Sequence, residues 1–236
     1  MKFKQSYARY TLLKMIANLF NHMSVTFLLS LGTMDMDINM KRAESIESSV
    51  QIRETFGFAR PEEILRAVQV YGGHWYGSML WDLFGEKVGQ LCRSWSTCVK
   101  LAWDLPRSTH TYLVEDVLAK DYLTVKQQLV GRYTNFFRSL LKSKNMEICV
   151  VANMVGRCAQ STTGGNLIRI HRETGQDPWK EPAWKVRDGI PRAEVPAQEG
   201  YRVQYLKKLI TARTELRSQA LETTEVDGLI ESLCSS

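Results

Sequence analysis

The sequence predicts a mostly α-helical protein, with a helical bundle, a proline-rich linker and a C-terminal helical hairpin in that order. Apolar residues recur every three or four positions through several stretches, which is the spacing of one helix face. No stretch of strand length alternates apolar and polar residues, and glycine and proline punctuate the helical stretches. With 236 residues, 44% of them hydrophobic, the chain is long enough to bury a substantial core.

Residues 1–31 form an N-terminal extension that is basic at its start and apolar later. A basic start before apolar residues is also typical of a signal peptide, but Lys14 and Asn18 interrupt the apolar run. The apolar stretch 25–31 is shorter than the roughly 20 residues that cross a bilayer. We expect an amphipathic or core helix here, and an intracellular protein without a membrane span.

The helical bundle is predicted for residues 32–175. The first helix follows Gly32, and Thr33 or Asp35 can cap its N-terminus because a short oxygen side chain accepts the free N–H groups there. The next helix starts at Pro61, where the missing N–H of proline costs nothing. The remaining helical stretches of the bundle are "GEKVGQLCRSWSTCVKLAWDLP", "TVKQQLVGRYTNFFRSLLKSK", "EICVVANMVGRCA" and "GNLIRIHRETG".

The composition of the sequence changes after Gly175. Residues 176–200 hold four of the six prolines, and we expect them to form an extended linker. Residues 201–236 contain two further helical stretches, "YRVQYLKKLITARTELRSQ" and "TEVDGLIESL", which predict a hairpin.

Basic residues provide the clearest functional signal. Residues 1–170 contain 21 Lys+Arg and 14 Asp+Glu, a net charge of +7, whereas residues 171–236 contain 10 and 11, a net charge of −1. A phosphate-binding surface is therefore expected before Gly175. The candidate nucleic-acid-binding residues are Lys100, Arg107, Lys126, Arg132, Arg138, Lys142 and Lys144.

Aromatic residues lie between these cations, as in nucleic-acid grooves that combine charge with stacking. At about 100° per residue, however, Lys126, Arg132, Arg138 and Lys142 do not fall on one stripe of a helix. Solvated charges around an aromatic core therefore explain the same pattern.

Other chemistry has little support in the sequence. The five cysteines include no C-x-x-C pair and the four histidines are far apart, so no metal site or other cofactor is expected. Asp35 and Asp37 form a D-x-D, but carboxylates are also favoured at a helix start. There is no G-x-S-x-G, although a hydrolase site assembled only in the fold stays open.

One segment resembles a known family. It contains Tyr76-Gly77-Ser78, Leu80-Trp81-Asp82-Leu83, Trp95 and then Leu105-Pro106-Arg107-Ser108-Thr109-His110. This series is similar to the segment that follows the polymerase palm in the reverse transcriptases of jockey-like, non-LTR (LINE-type) retrotransposons. The resemblance extends from about Gly32 to Ser236, and it implies the thumb and post-thumb helices of an RNA-directed DNA polymerase.

The chain departs from the family where catalysis is concerned. The family's two-metal centre uses a Phe/Tyr-x-Asp-Asp hairpin, and this chain contains no Asp-Asp pair. Thr33 also stands after Leu31-Gly32, where the family has histidine. The resemblance therefore implies a truncated C-terminal product without polymerase activity, which at most binds RNA or an RNA–DNA duplex weakly and without sequence preference.

The aromatic run "YGGHWYGSMLWDLFG" is expected to form the core of the bundle. Its predicted core residues, with two from later helices, are Trp75, Tyr76, Leu80, Trp81, Trp95 and Phe136. A thumb contacts the nucleic-acid backbone, so it needs shape and charge.

Two other interpretations remain open. An α-helical interaction or scaffold protein would expose an apolar patch in place of a positive face. A chain without any function would expose part of its aromatic core and aggregate.

Overall fold

The computed structural model describes residues 34–57, 59–73, 75, 77–117, 123–192 and 200–235. Within these ranges the chain forms helices and turns and no strand, as the sequence predicts. The extension predicted for residues 1–31 lies outside the described residues. The helices are α1 (residues 34–56), α2 (Pro61–Gly72), α3 (Glu86–Ala102), α4 (Thr111–Val117), α5 (Val125–Leu141), α6 (Met146–Arg157), α7 (Thr162–Thr174), α8 (Ala183–Asp188), α9 (Gly200–Ser218) and α10 (Thr224–Ser235). A 3-10 turn covers Ser78–Leu80.

Local sequence explains where the helices begin and end. Pro61 is the first residue of α2. Thr124 and Gln127 form a capping box at the start of α5, in which each side chain bonds the backbone N–H of the other residue. The helix α7 ends at Gly175, whose φ of 66° lies in the left-handed region that suits glycine.

Helix α5 lies at the centre of the bundle and packs against α3, α6, α8 and the 3-10 turn. Its buried residues include Leu129, Val130 and Phe137. Because neighbours surround α5 on several sides, few of its positions face solvent. This placement determines which of its basic residues are accessible.

Helix α1 packs through small side chains. Ser45 and Ser49 are buried on the same face as Ile38 and Ile52. The hydroxyl of Ser45 donates to the carbonyl oxygen of Gly72 at 2.8 Å, which ties α1 to the end of α2. The buried face of this helix therefore combines two isoleucines with two serines.

Four tryptophans, Trp75, Trp81, Trp95 and Trp103, are buried in the core. Trp75 and Trp95 meet edge to face with their ring centroids 5.4 Å apart, an arrangement that adds about 1 kcal/mol beyond burial. The Nε1 of Trp81 donates to Asp37 Oδ2 at 3.0 Å. The buried Asn166 bonds the carbonyl of Trp81 and the N–H of Leu83, which fixes this stretch against α7.

The core prediction is wrong for two residues. Leu80 is 57% exposed because the 3-10 turn directs it outward, while the next residue, Trp81, enters the core. Phe136 is also exposed, because its neighbour Phe137 takes the buried position on α5. Trp75, Trp81 and Trp95 lie in the core, whereas Tyr76 lies outside the described residues.

The linker prediction is also wrong for much of residues 176–200. This segment contains α8, which packs against α5 and α7. Ala183, Val186 and Ile190 are buried, at the spacing of one helix face. Pro182 precedes the helix and sets its extended entry, so the proline that suggested a linker in fact starts a helix. Residues 193–199 lie outside the described part of the chain.

Helices α9 and α10 form the predicted hairpin, and it packs against the bundle through α4 and α2. Arg213 is only 4% exposed and donates to the carbonyl oxygens of Trp103 and Asp104 and to Asp227 Oδ1. Asp104 also accepts from Arg217 at 2.9 Å. Residues 201–235 therefore share the core of the bundle.

Candidate nucleic-acid interface

A groove of about 600 Å³ lies between α5 and α8, and we call it the arginine groove. Its charged lining consists of Arg132 and Arg138 from α5 and Arg187 from α8. The other lining residues are Gln69, Leu123, Gln128, Gly131, Asn135, Pro182, Ala183 and Trp184. Among the described residues no carboxylate lines it, so Arg132 and Arg138, together with Arg187 beside its ion pair to Asp188, give it a positive potential.

The sequence of α5 places one helix face along this groove. Gln128, Arg132, Asn135 and Arg138 follow at intervals of three or four residues, so they share one side of the helix. Gly131 lies between them, and a Cβ atom there would come within 3.2 Å of the Cδ of Arg187. The missing side chain therefore allows Arg187 to lie across α5.

Backbone carbonyls orient the two arginines of α5. Arg132 Nη2 donates to the carbonyl oxygen of Gly73 at 3.4 Å. Arg138 Nη1 donates to the carbonyl oxygen of Lys180 at 2.6 Å and also to that of Glu181. A guanidinium has five N–H donors, so each arginine retains donors that can bind an anion.

Helix α8 contributes a cation and an aromatic ring. Arg187 Nε donates to Asp188 Oδ1 at 2.8 Å, and Asp188 is half exposed at the end of the helix. Trp184 lies on the same helix and is 60% exposed. The two side chains belong to a helix whose opposite face is buried, so the core holds them in place.

Lys126 lies on the other side of α5, away from the arginine groove. Its Nζ donates to the carbonyl oxygen of Leu83 at 3.1 Å and lies 3.8 Å from the centroid of the Phe84 ring. Burial lowers the pKa of Lys126, and the charge of Glu173 opposes part of that change. This lysine ties the turn before α3 to α5.

The other predicted cations are dispersed. Lys100 is half-buried on α3, where burial lowers its pKa. Arg107 is exposed in the turn after α3, and Lys142 and Lys144 are exposed just beyond α5. The fold therefore brings together only Arg132 and Arg138 of the seven candidates, and none of these four lines the arginine groove.

Sequence reasoning missed Arg187 and Trp184 because they lie in the segment predicted to be a linker. Both come after Gly175, beyond the region in which the charge distribution predicted a phosphate-binding surface. The spacing of Ala183, Val186 and Ile190 was the available signal, since it matches one face of a short helix.

A second groove, of about 500 Å³, is apolar and lies between α5 and α6. Leu80 and Phe136, the two residues wrongly assigned to the core, both line it. Helix α6 buries only Ala152 and Gly156. Its exposed apolar side chains are Met146, Ile148, Val150, Val151 and Met154, and we call them the α6 face.

The structure gives simple roles to the residues considered for other chemistry. Asp37 of the D-x-D accepts the hydrogen bond from Trp81. No group of three or more metal-ligating side chains occurs among the described residues. None of the five cysteines forms a disulfide, and burial raises the pKa of Cys98 to about 11, far above the range of a reactive thiol.

Comparisons of this chain with known proteins do not identify a family for it. No protein-family model, curated protein or solved structure matches this chain. None of the described helices has both the length and the apolar character that crossing a membrane requires.

Proposed function

We propose that this chain binds nucleic acid through the arginine groove, without catalysing polymerisation, and that it derives from the part of a LINE-type reverse transcriptase that follows the palm. The origin is supported by the co-linear motifs between Tyr76 and His110. The binding role is carried by one observation, the three arginines that line a single groove without a carboxylate.

The geometry of the groove suits a phosphate backbone. Arg132 and Arg138 are six residues apart, which is about 9 Å along a helix axis. That length equals the rise of two or three nucleotide steps along the axis of a duplex, at about 3.4 Å for each step. Guanidinium groups bind phosphate oxygens in pairs of hydrogen bonds, and such contacts carry no base preference.

The test is fluorescence anisotropy with a labelled RNA–DNA hybrid across a salt series. Three neutralised phosphates predict a slope of about −2.7 in log affinity against log salt, or a loss of about 40-fold between roughly 50 and 200 mM. A salt-independent affinity, or no binding at low salt by a folded monodisperse sample, would contradict the proposal.

Paired variants locate the surface. The double variant Arg132→Gln/Arg187→Gln should flatten the slope by about two units, because two cations leave the groove. The matched double variant Lys207→Gln/Lys208→Gln removes the same charge from exposed positions of α9, which packs against α4 and α10. An equal loss in both variants would show that binding depends on net charge and not on this groove.

The α6 face favours a second candidate function, a helical protein-interaction role. Five large apolar side chains on one exposed helix, beside an apolar groove, are typical of surfaces that pack against another protein. Under this alternative, Val151→Asp should abolish assembly with the partner and leave nucleic-acid binding unchanged. Sedimentation of the purified chain, with and without this substitution, would detect assembly if the partner is a second copy.

A further inference from the structure

We infer that the arginine groove binds single-stranded nucleic acid in preference to a duplex, with an unpaired base stacked on Trp184. This inference rests on the proposed function and adds the class of nucleic acid to it. Three features of the groove carry it: the exposure of Trp184, the rigidity of α8 and the chemistry of the remaining lining.

Trp184 differs from the other tryptophans. All six tryptophans of the chain are described, and Trp75, Trp81, Trp95 and Trp103 are buried while Trp179 is partly buried. Trp184 is 60% exposed, so its ring contributes little to the core. An exposed indole beside guanidinium groups is the combination that proteins use to stack a base next to its phosphate.

The indole ring of Trp184 belongs to a helix, α8, that is packed against the core. Val186 is fully buried and Ala183 nearly so, on the face of α8 opposite to solvent. Pro182 fixes the backbone at the entry to the helix. Little further ordering of the backbone is therefore needed when a base stacks on Trp184, which favours binding.

A single strand suits this site better than a duplex does. In a duplex the faces of the bases are already stacked, and exposing one base requires unpairing and unstacking. An unpaired base offers its face at no such cost.

The polar side chains that line the groove can hydrogen-bond to any of the bases. Gln69 and Asn135 carry both amide donors and amide acceptors, so they can meet the edges of different bases, whereas the amide of Gln128 already bonds Trp75 and Leu123. We therefore expect a preference for unpaired bases without a preference for one sequence.

The experiment compares three labelled probes of equal length on the full chain: a mixed-sequence single strand, the same backbone without bases, and an RNA–DNA hybrid. We expect the single strand to bind about tenfold more tightly than the abasic strand, from one stacked base. Its affinity should fall about 20-fold between roughly 50 and 200 mM salt, because single strands release fewer counterions per contact.

Variants at Trp184 test the stacking itself. Trp184→Ala should bring the single strand to the affinity of the abasic strand, while Trp184→Phe should retain most of the difference because it keeps an aromatic face. Tyr201→Ala is the matched control, since Tyr201 is an exposed aromatic residue on α9. Thermal unfolding of each variant checks that the fold is intact.

Each outcome distinguishes the inference from the proposal beneath it. If all three probes bind alike with a steep salt dependence, the groove binds backbone only, and the stacking inference is overturned while the proposed function stands. A preference for the hybrid, or an unchanged single-strand affinity in Trp184→Ala, also overturns it. Absence of binding to every probe would remove both.

Discussion

The substitution Val186→Ala tests whether α8 is a docked helix or part of a linker. Val186 is completely buried where α8 packs against α5 and α7. The substitution removes two buried carbons, and each contributes roughly 0.8 kcal/mol of hydrophobic free energy, or about 1.6 kcal/mol together. The unfilled space adds up to about 1 kcal/mol, so the free energy of unfolding should fall by about 2–3 kcal/mol.

The assay is thermal and urea unfolding followed by circular dichroism. For a chain of this size, each kcal/mol lowers the melting temperature by about 2–4 °C, so a decrease of about 5–10 °C is expected. The control is Lys185→Ala on the same helix, whose ion pair with Glu181 is partly exposed and should change stability by less than about 1 kcal/mol.

The result that would refute the reasoning is equal stability of the two variants and the wild type. A valine in an undocked segment loses nothing when it is shortened, because it is solvated before and after unfolding. In that case the groove between α5 and α8 would have no fixed wall, and its assignment would fail with it.

Three further predictions concern the rest of the fold. Burial opposes ionisation of Asp104, but the hydrogen bond from Arg217 and nearby arginine charges outweigh it and hold the pKa of Asp104 below its usual value. The ionised carboxylate of Asp104 therefore stabilises the fold above about pH 4, and this stability is lost as the pH falls through the folded-state pKa. Asp104→Asn should lower the free energy of unfolding at pH 7 by up to about 1 kcal/mol and should match the wild type in acid, as measured by urea unfolding. Cys98 should stay unmodified by a thiol reagent at pH 8 in the folded chain and react after unfolding, as measured by mass spectrometry, because it is fully buried with a raised pKa. Asp37→Ala should destabilise the chain by about 1–3 kcal/mol in chemical denaturation, because it removes the acceptor of the buried Trp81 indole, and Trp81→Phe in the same background should add less than it does alone.

The positions of the longer helices could be predicted from the sequence because they depend on local spacing and on residues at helix ends, whereas the short helices α4 and α8 were not predicted. The capping box of Thr124 and Gln127 and the proline at the start of α2 are signals of this kind. The helical hairpin after residue 200 follows from the same periodicity. These features need no information about which surfaces meet.

Side-chain exposure could not be predicted where it depends on tertiary packing. Leu80 and Phe136 have large apolar side chains of the kind found in cores. The 3-10 turn and the orientation of α5 nevertheless leave them exposed beside the apolar groove. The helical spacing around each residue was compatible with either environment.

The candidate site was only half predictable for the same reason. Arg132 and Arg138 were both candidates from the sequence, but six residues place them about 120° apart around α5, so spacing alone did not indicate a shared groove. The partner wall depends on α8 returning to pack on α5, a long-range contact that brings Arg187 beside Gly131. Lys126, on the same helix as Arg132, faces the other way and binds Leu83.

The most direct test of the nucleic-acid interface is amide hydrogen exchange of the full chain with and without a saturating oligonucleotide. The account predicts slower exchange in α8 and along the residues 131–138 of α5, with α6, α9 and α10 unchanged. Protection confined to α9 or to the α6 face, with none in α8, would contradict the arginine groove as the binding surface.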